Sequence, residues 1–113
     1  AASRGLDNEV TAICDGVLRG EAPRYAQRPI GFVLLTFERA LIALATSASY
    51  EAGVVHTVSL GGDTDTNAAV AGALLGARFG VAAIPPRWHS RLRQQEAVDL
   101  ATEALLTWRT VAP

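Results

Sequence analysis

In residues 61–80, GGDTDTNAAVAGALLGARFG, two glycines precede two aspartates, each followed by threonine, and then a run of almost nothing but alanine, glycine and leucine. Alanine and leucine are strong helix formers, so a helix is expected to open near Thr64 and to end at Gly80. Ala68, Ala69, Ala71, Gly72, Ala73, Gly76 and Ala77 leave it with very little side-chain bulk. Gly72, Gly76 and Gly80 stand four apart. Each glycine inside a helix costs about 0.8–1 kcal/mol relative to alanine. The expected compensation is close approach of a neighbouring backbone, which makes this a central helix packed on several sides.

The two acids need a separate reason. In a continuous helix, side chains two apart point about 200° apart, so Asp63 and Asp65 could not share a ligand there. A junction between loop and helix loosens that constraint, and the glycine pair allows a tight, left-handed approach. Asp63 is then expected at or just before the N-cap, with Asp65 and Thr66 in the first turn. Capping and the helix dipole account for one carboxylate. They give no reason for a second one so close, where the two repel. A metal site does. Two carboxylates and a hydroxyl are hard oxygen donors, suited to Mg²⁺, Mn²⁺ or Ca²⁺ and poorly suited to zinc or copper. Three side chains do not fill an octahedral sphere, so water, substrate or another part of the protein must supply the remainder.

The rest of the chain also reads as helical, and the fold class expected is all-α. Asp7 or Asn8 is positioned to cap a first helix whose stripe is Val10, Ile13, Cys14, Val17 and Leu18, ended by Gly20. Residues 21–29 read as a loop, with two prolines. A second helix is expected over residues 32–46, with Phe32, Leu34, Leu35, Leu41 and Ile42 spread around it so that both faces are covered. Ser49 caps a third. Its valines also permit a strand over residues 54–60, but nothing else in the chain offers a pairing strand. Pro86 begins a short helical turn that holds Trp88 and His89. The last helix, about residues 94–109, carries an apolar stripe of Ala97, Leu100, Ala101, Ala104, Leu105 and Trp108.

Composition narrows the functions available. The chain has 113 residues, half of them hydrophobic, with a formal net charge of −1. That is a single globular domain, with no charge excess to recruit nucleic acid or an anionic membrane. All ten basic residues are arginine, so Schiff-base and phosphate-loop lysine chemistry are excluded for this chain. Cys14 is the single cysteine, which points to a reducing compartment and a cytoplasmic location. No apolar run reaches the roughly 18 residues of a membrane span. The absence of any methionine suggests that Ala1 is not a translation start: either the N-terminus was processed or the chain is the tail of something longer.

The segment LGGDTDTNAAVAGALLGARFG, with AIPPRW close behind it and GFVLLTFERALIAL and SYEAGVVHTVS ahead of it, resembles the C-terminal portion of the ADP-ribosylglycohydrolase family. The similarity covers residues 29–92. The resemblance implies an all-α hydrolase with two Mg²⁺ or Mn²⁺ ions in a cleft, which cleaves ADP-ribose from a protein side chain or a small acceptor. It assigns Asp63, Asp65 and Thr66 as metal ligands and places Gly31, Phe32 and Gly62 beside the substrate. An equal alternative for Phe32 is a helix entry with its ring in the core. The family's other ligands come from a Thr-Asp-Asp motif near the N-terminus, and Asp7-Asn8-Glu9 does not match it. Residues 1–113 are therefore expected to be a C-terminal fragment carrying half of the metal site, inactive alone, with exposed apolar surface that associates with the missing N-terminal half or a partner chain.

Two other readings stay beside this one. A non-enzymatic relative could keep the scaffold as a binding or structural protein. A phosphatase of the haloacid dehalogenase type also uses an Asp-x-Asp motif, but here Asn67 holds its fifth position and there is no lysine. His56 and His89 are isolated and read as structural. Trp88 and Trp108 read as core or interface anchors. Cys14 reads as a small buried hydrophobe.

Overall fold

Two helices of like composition lie side by side at the centre: α2 (Val33–Thr46) and α4 (Thr64–Phe79). Ala40 and Ala43 of α2 meet Ala71 and Leu75 of α4 in one cluster with no exposure to solvent. Thr36 bonds Asn67 near the start of each helix, and Arg78 donates to the Leu44 carbonyl near their ends. Contacts that advance together along both chains mean that the helices run in the same direction. Alanine at three of the four cluster positions leaves little bulk between the two helices, and small side chains let helix axes approach closely.

The computed structural model describes residues 2–111. Ahead of the central pair stands α1 (Ala2–Leu18), and between its members stands α3 (Tyr50–Ser59). A 3-10 turn (Val81–Ala83), the single-turn α5 (Pro86–His89) and α6 (Gln95–Val111) follow. Every regular element among the described residues is helical, as the sequence implied. The valines of α3 are helical because no strand is there to pair with them. Ser49 caps α3 as expected, its Oγ accepting from the Ala52 amide at 3.1 Å.

Three expectations need correction. The first helix begins at Ala2, so Asp7 and Asn8 lie within it and cap nothing. The glycines of α4 do not admit a neighbouring backbone. A Cβ on Gly72 would meet the Tyr50 hydroxyl at 3.3 Å, and one on Gly76 would meet the Tyr50 ring at 3.9 Å. The closest approach is made by Gly53 of α3, where a Cβ would stand 2.6 Å from a Leu75 methyl and 2.7 Å from Ser47 Oγ. Finally, α4 is covered on one side only. Asn67, Ala71 and Leu75 are buried, while Ala69, Val70, Ala73 and Ala77 face solvent.

The last helix has formed, but its apolar stripe is bare. Residues 96–110 are all exposed, including Leu100, Leu105 and Trp108. Trp88, by contrast, is half-buried, edge-on to Tyr50 with ring centroids 6.4 Å apart. Cys14 is only half-buried, at the mouth of an apolar groove between α1 and α2. No helix among the described residues is long and apolar enough to cross a membrane.

Candidate metal centre

The turn between α3 and α4 fixes where the acids stand. Gly61 and Gly62 both adopt positive φ, at 72° and 76°, a pair of left-handed steps that side chains resist. The chain thereby reverses in two residues and delivers Asp63 to the N-cap position of α4. The Gly61 amide donates to the Val58 carbonyl, and the Thr64 amide donates to the Gly62 carbonyl. Asp63 itself does not cap: its carboxylate accepts no hydrogen bond from the first-turn amides. A residue type favoured for capping stands at the cap and leaves its side chain uncommitted.

The Asp65 carboxyl is held below the usual carboxylate range, first by the neighbouring Asp63 carboxyl and then by the backbone amides of Thr66 and of Asp65 itself. Asp63 thus stands just outside the helix and Asp65 inside its first turn. Asp65, Thr66 and Gly62 are exposed and Asp63 is partly so, which leaves the pair accessible. Among the described residues, no three His, Cys, Asp or Glu side chains gather into a possible metal site. The donors at this junction are two carboxylates, with the Thr66 hydroxyl on the same helical turn as Asp65. The donor set fits a hard divalent ion and leaves its coordination incomplete.

Gly31 and Phe32 sit where α2 begins. Phe32 occupies the N-cap position, half-buried, against Tyr25 with centroids 5.4 Å apart and with the Arg28 guanidinium over its ring. One turn further along α2, the Thr36 hydroxyl donates to Asn67 Oδ1 at 2.7 Å. Asn67 stands one turn after Asp63. The N-terminal turns of α2 and α4 therefore lie together, and Phe32 stands on the same end of the helix pair as the acids. The Phe32 ring is neither in the main core nor free: it closes a small aromatic cluster of the preceding loop.

Sequence reasoning missed the side chains of α2 that hold these parts in place. Glu38, only 3% exposed, accepts from the Arg24 amide at 2.8 Å and the Tyr25 amide at 3.0 Å, which ties the loop before Phe32 to the helix. Arg39 donates to the Gly61 carbonyl at 2.8 Å. Thr36, Glu38 and Arg39 are polar residues inside an otherwise apolar helix, VLLTFERALIALAT, with apolar residues on all its faces. Polar groups in such a position must find partners, and this was the available clue.

An all-helical chain that presents an Asp-x-Asp-Thr carboxylate pair at a helix mouth defines the class, and comparison with known proteins gives the family. The ADP-ribosylglycohydrolase family model matches residues 2–112, and the chain belongs to that family. It is 38% identical over 61 residues to the ADP-ribosylhydrolase ARH3 of Bos taurus, covering 54% of this chain and 17% of that protein. It is 33% identical over 85 residues to the ADP-ribosylarginine hydrolase Tri1 of Serratia proteamaculans, covering 75% of this chain and 23% of that one. It is 34% identical over 84 residues to the ADP-ribosyl-[dinitrogen reductase] glycohydrolase of Rhodospirillum rubrum, covering 73% and 29%. The chain thus spans less than a third of the length of these relatives. No solved structure matches it.

Proposed function

We propose that this chain contributes one half of a divalent metal site to a hydrolase that removes ADP-ribose from a protein side chain or a small acceptor. The observation that carries this is the uncommitted side chain of Asp63: it stands at the N-cap of α4 without capping it, two residues ahead of Asp65 in the first turn, and capping gives no reason for the second acid. Asp63, Asp65 and Thr66 would hold Mg²⁺ or Mn²⁺ through oxygen. In a complete site of two ions, the metal would supply Lewis acidity toward ribose hydroxyls and a water. The contribution of the chain's own residues is placement. The two-glycine turn presents the carboxylates, α4 keeps Asp65 and Thr66 on one turn, and Gly62 leaves room for a ligand to approach the backbone. Gly31 and Phe32, on the same end of the helix pair, are placed to border the substrate.

The remaining ligands and the acid/base group belong on a missing N-terminal half or a partner chain. The bare faces of α4 and α6 are the surfaces it would cover, since exposed apolar patches of this kind mark interfaces. The lone cysteine fits the cytoplasm as its location. A relative that keeps the scaffold without catalysis would share the acid pair, and activity of the assembled protein separates the two readings.

The test is a Mn²⁺ titration of the ¹⁵N-labelled chain, followed by amide line broadening. Broadening centred on residues 62–67 and abolished by Asp65→Asn supports the half-site. No broadening there, or equal broadening at every surface acid, refutes it. Release of ADP-ribose from ADP-ribosylated arginine by the chain alone would refute the claim that the site is only half present.

A further inference from the structure

We infer that Arg39 is the positioning residue of the acid pair: its guanidinium, reaching from α2 to the Gly61 carbonyl, sets the two-glycine turn that presents Asp63 and Asp65. The inference deepens the metal-site reading and rests on it.

Glycine is the reason that the turn needs an external hold. Gly61 and Gly62 reach their positive φ values freely, and for the same reason they leave them freely. Two of the bonds that shape the turn are local. The Gly61 amide bonds Val58, and the Thr64 amide bonds Gly62, so both can persist while the turn swings as a unit. Among the described residues, the bond from Arg39 Nη1 to the Gly61 carbonyl is the one that ties the turn to another element. It is a charge-assisted bond of 2.8 Å from a half-buried side chain, and such bonds are stronger than neutral ones.

The surroundings of Arg39 favour this role. No carboxylate stands within ion-pair distance of it among the described residues, so its donors are not drawn elsewhere. Its side chain lines a small cavity beneath Pro23 and Ala26 and beside Leu60, which confines its stem. A Cβ placed on Gly62 would lie 3.7 Å from Nη1, so the guanidinium also packs against the second residue of the turn. The same helix that carries Thr36 to Asn67 at the start of α4 therefore holds the turn before it. Both sides of Asp63 are referenced to α2.

Two ligands on one ion must be ordered before they bind it, and any ordering left undone is subtracted from affinity. Removing the hold transfers the ordering of the turn to the metal. Arg39→Met keeps the stem and deletes the donors. It is expected to weaken Mn²⁺ binding by about tenfold, the equivalent of roughly 1.4 kcal/mol. Amide exchange at residues 61–64 should accelerate by a similar factor. Arg39→Lys keeps the charge and one donor and should recover part of both. Arg19→Met, which removes an exposed arginine paired with Asp15 and Glu21, should leave both readouts at the turn unchanged.

One labelled sample of each variant gives exchange rates and Mn²⁺ broadening together. Faster exchange confined to the turn, weaker broadening and partial rescue by lysine support the inference. Unchanged exchange and unchanged affinity in Arg39→Met overturn it and leave the metal reading standing. If the unsubstituted chain shows no Mn²⁺ broadening, the metal reading falls, and the exchange rates still decide whether Arg39 sets the turn. Should Arg39→Met not fold, Arg39→Lys carries the test, with an intermediate change expected and no change refuting.

Discussion

Gly53→Ala and Gly76→Ala are the same chemical change in two helix interiors, and the packing of α3 on α4 makes them opposite in effect. Intrinsic propensity favours alanine at each by about 0.8–1 kcal/mol. At Gly76 the new methyl would stand 3.9 Å from the Tyr50 ring, an ordinary van der Waals contact, so the gain should be realised. At Gly53 it would stand 2.6 Å from Leu75 Cδ1, about 1 Å inside the contact distance of two carbons. Leu75 has no exposed surface, and Ser47 Oγ at 2.7 Å blocks the other direction. Overpacking of that kind costs about 1–3 kcal/mol, which cancels or outweighs the propensity gain. Gly76→Ala should therefore be more stable than the parent and Gly53→Ala no more stable, or less, with a gap of roughly 1–3 kcal/mol between the variants. Urea unfolding followed by far-UV circular dichroism reads this directly as a difference in midpoint at constant slope. Equal midpoints for the two variants would refute the proposed register of α3 on α4.

Glu38→Gln replaces a carboxylate that accepts from two amides by a group with one acceptor oxygen and one donor, so either Arg24 N–H or Tyr25 N–H loses its partner. A loss of about 2–3 kcal/mol is expected, together with faster tryptic cleavage after Arg24 and Arg28; an unchanged cleavage rate would count against the loop anchor. Asp65 sets a pH dependence. Its folded pKa lies below the unfolded value, so its contribution to stability is present at neutral pH and drains away as pH falls below about 4. The stability difference between the parent and Asp65→Asn should narrow in acid, and a difference that stays constant from pH 7 to pH 3 would contradict the lowered pKa of Asp65.

Much of the architecture was legible because its causes are local. Ser49 followed by Tyr50-Glu51-Ala52 is a capped start whatever surrounds it, and the cap bond is present. Pro86 opens α5, Gly80 ends α4, and the small-residue run is helical throughout. The failures also have physical causes. Asp7 and Asn8 are good caps, yet α1 continues through them, because a favoured cap residue is only neutral-to-unfavourable inside a helix and does not forbid it. The stripe of α6 was read correctly as amphipathic, but periodicity reports that a face is apolar and not what covers it. The glycines of α4 were read as a seat for a backbone and hold the ring of Tyr50 instead, because sequence spacing does not state the size of the neighbour.

By itself the sequence determined an all-helical chain and the family motif, with its oxygen-bearing side chains at Asp63, Asp65 and Thr66. Tertiary structure alone decided how the two acids are presented. Two side chains two residues apart diverge in a helix, and their placement here depends on the backbone angles of Gly61, Gly62 and Asp63. Those angles belong to residues that tolerate many values. Their selection comes from a different helix, through Arg39 at the Gly61 carbonyl and Thr36 at Asn67. Local preferences left the turn open, and long-range hydrogen bonds chose one conformation of it.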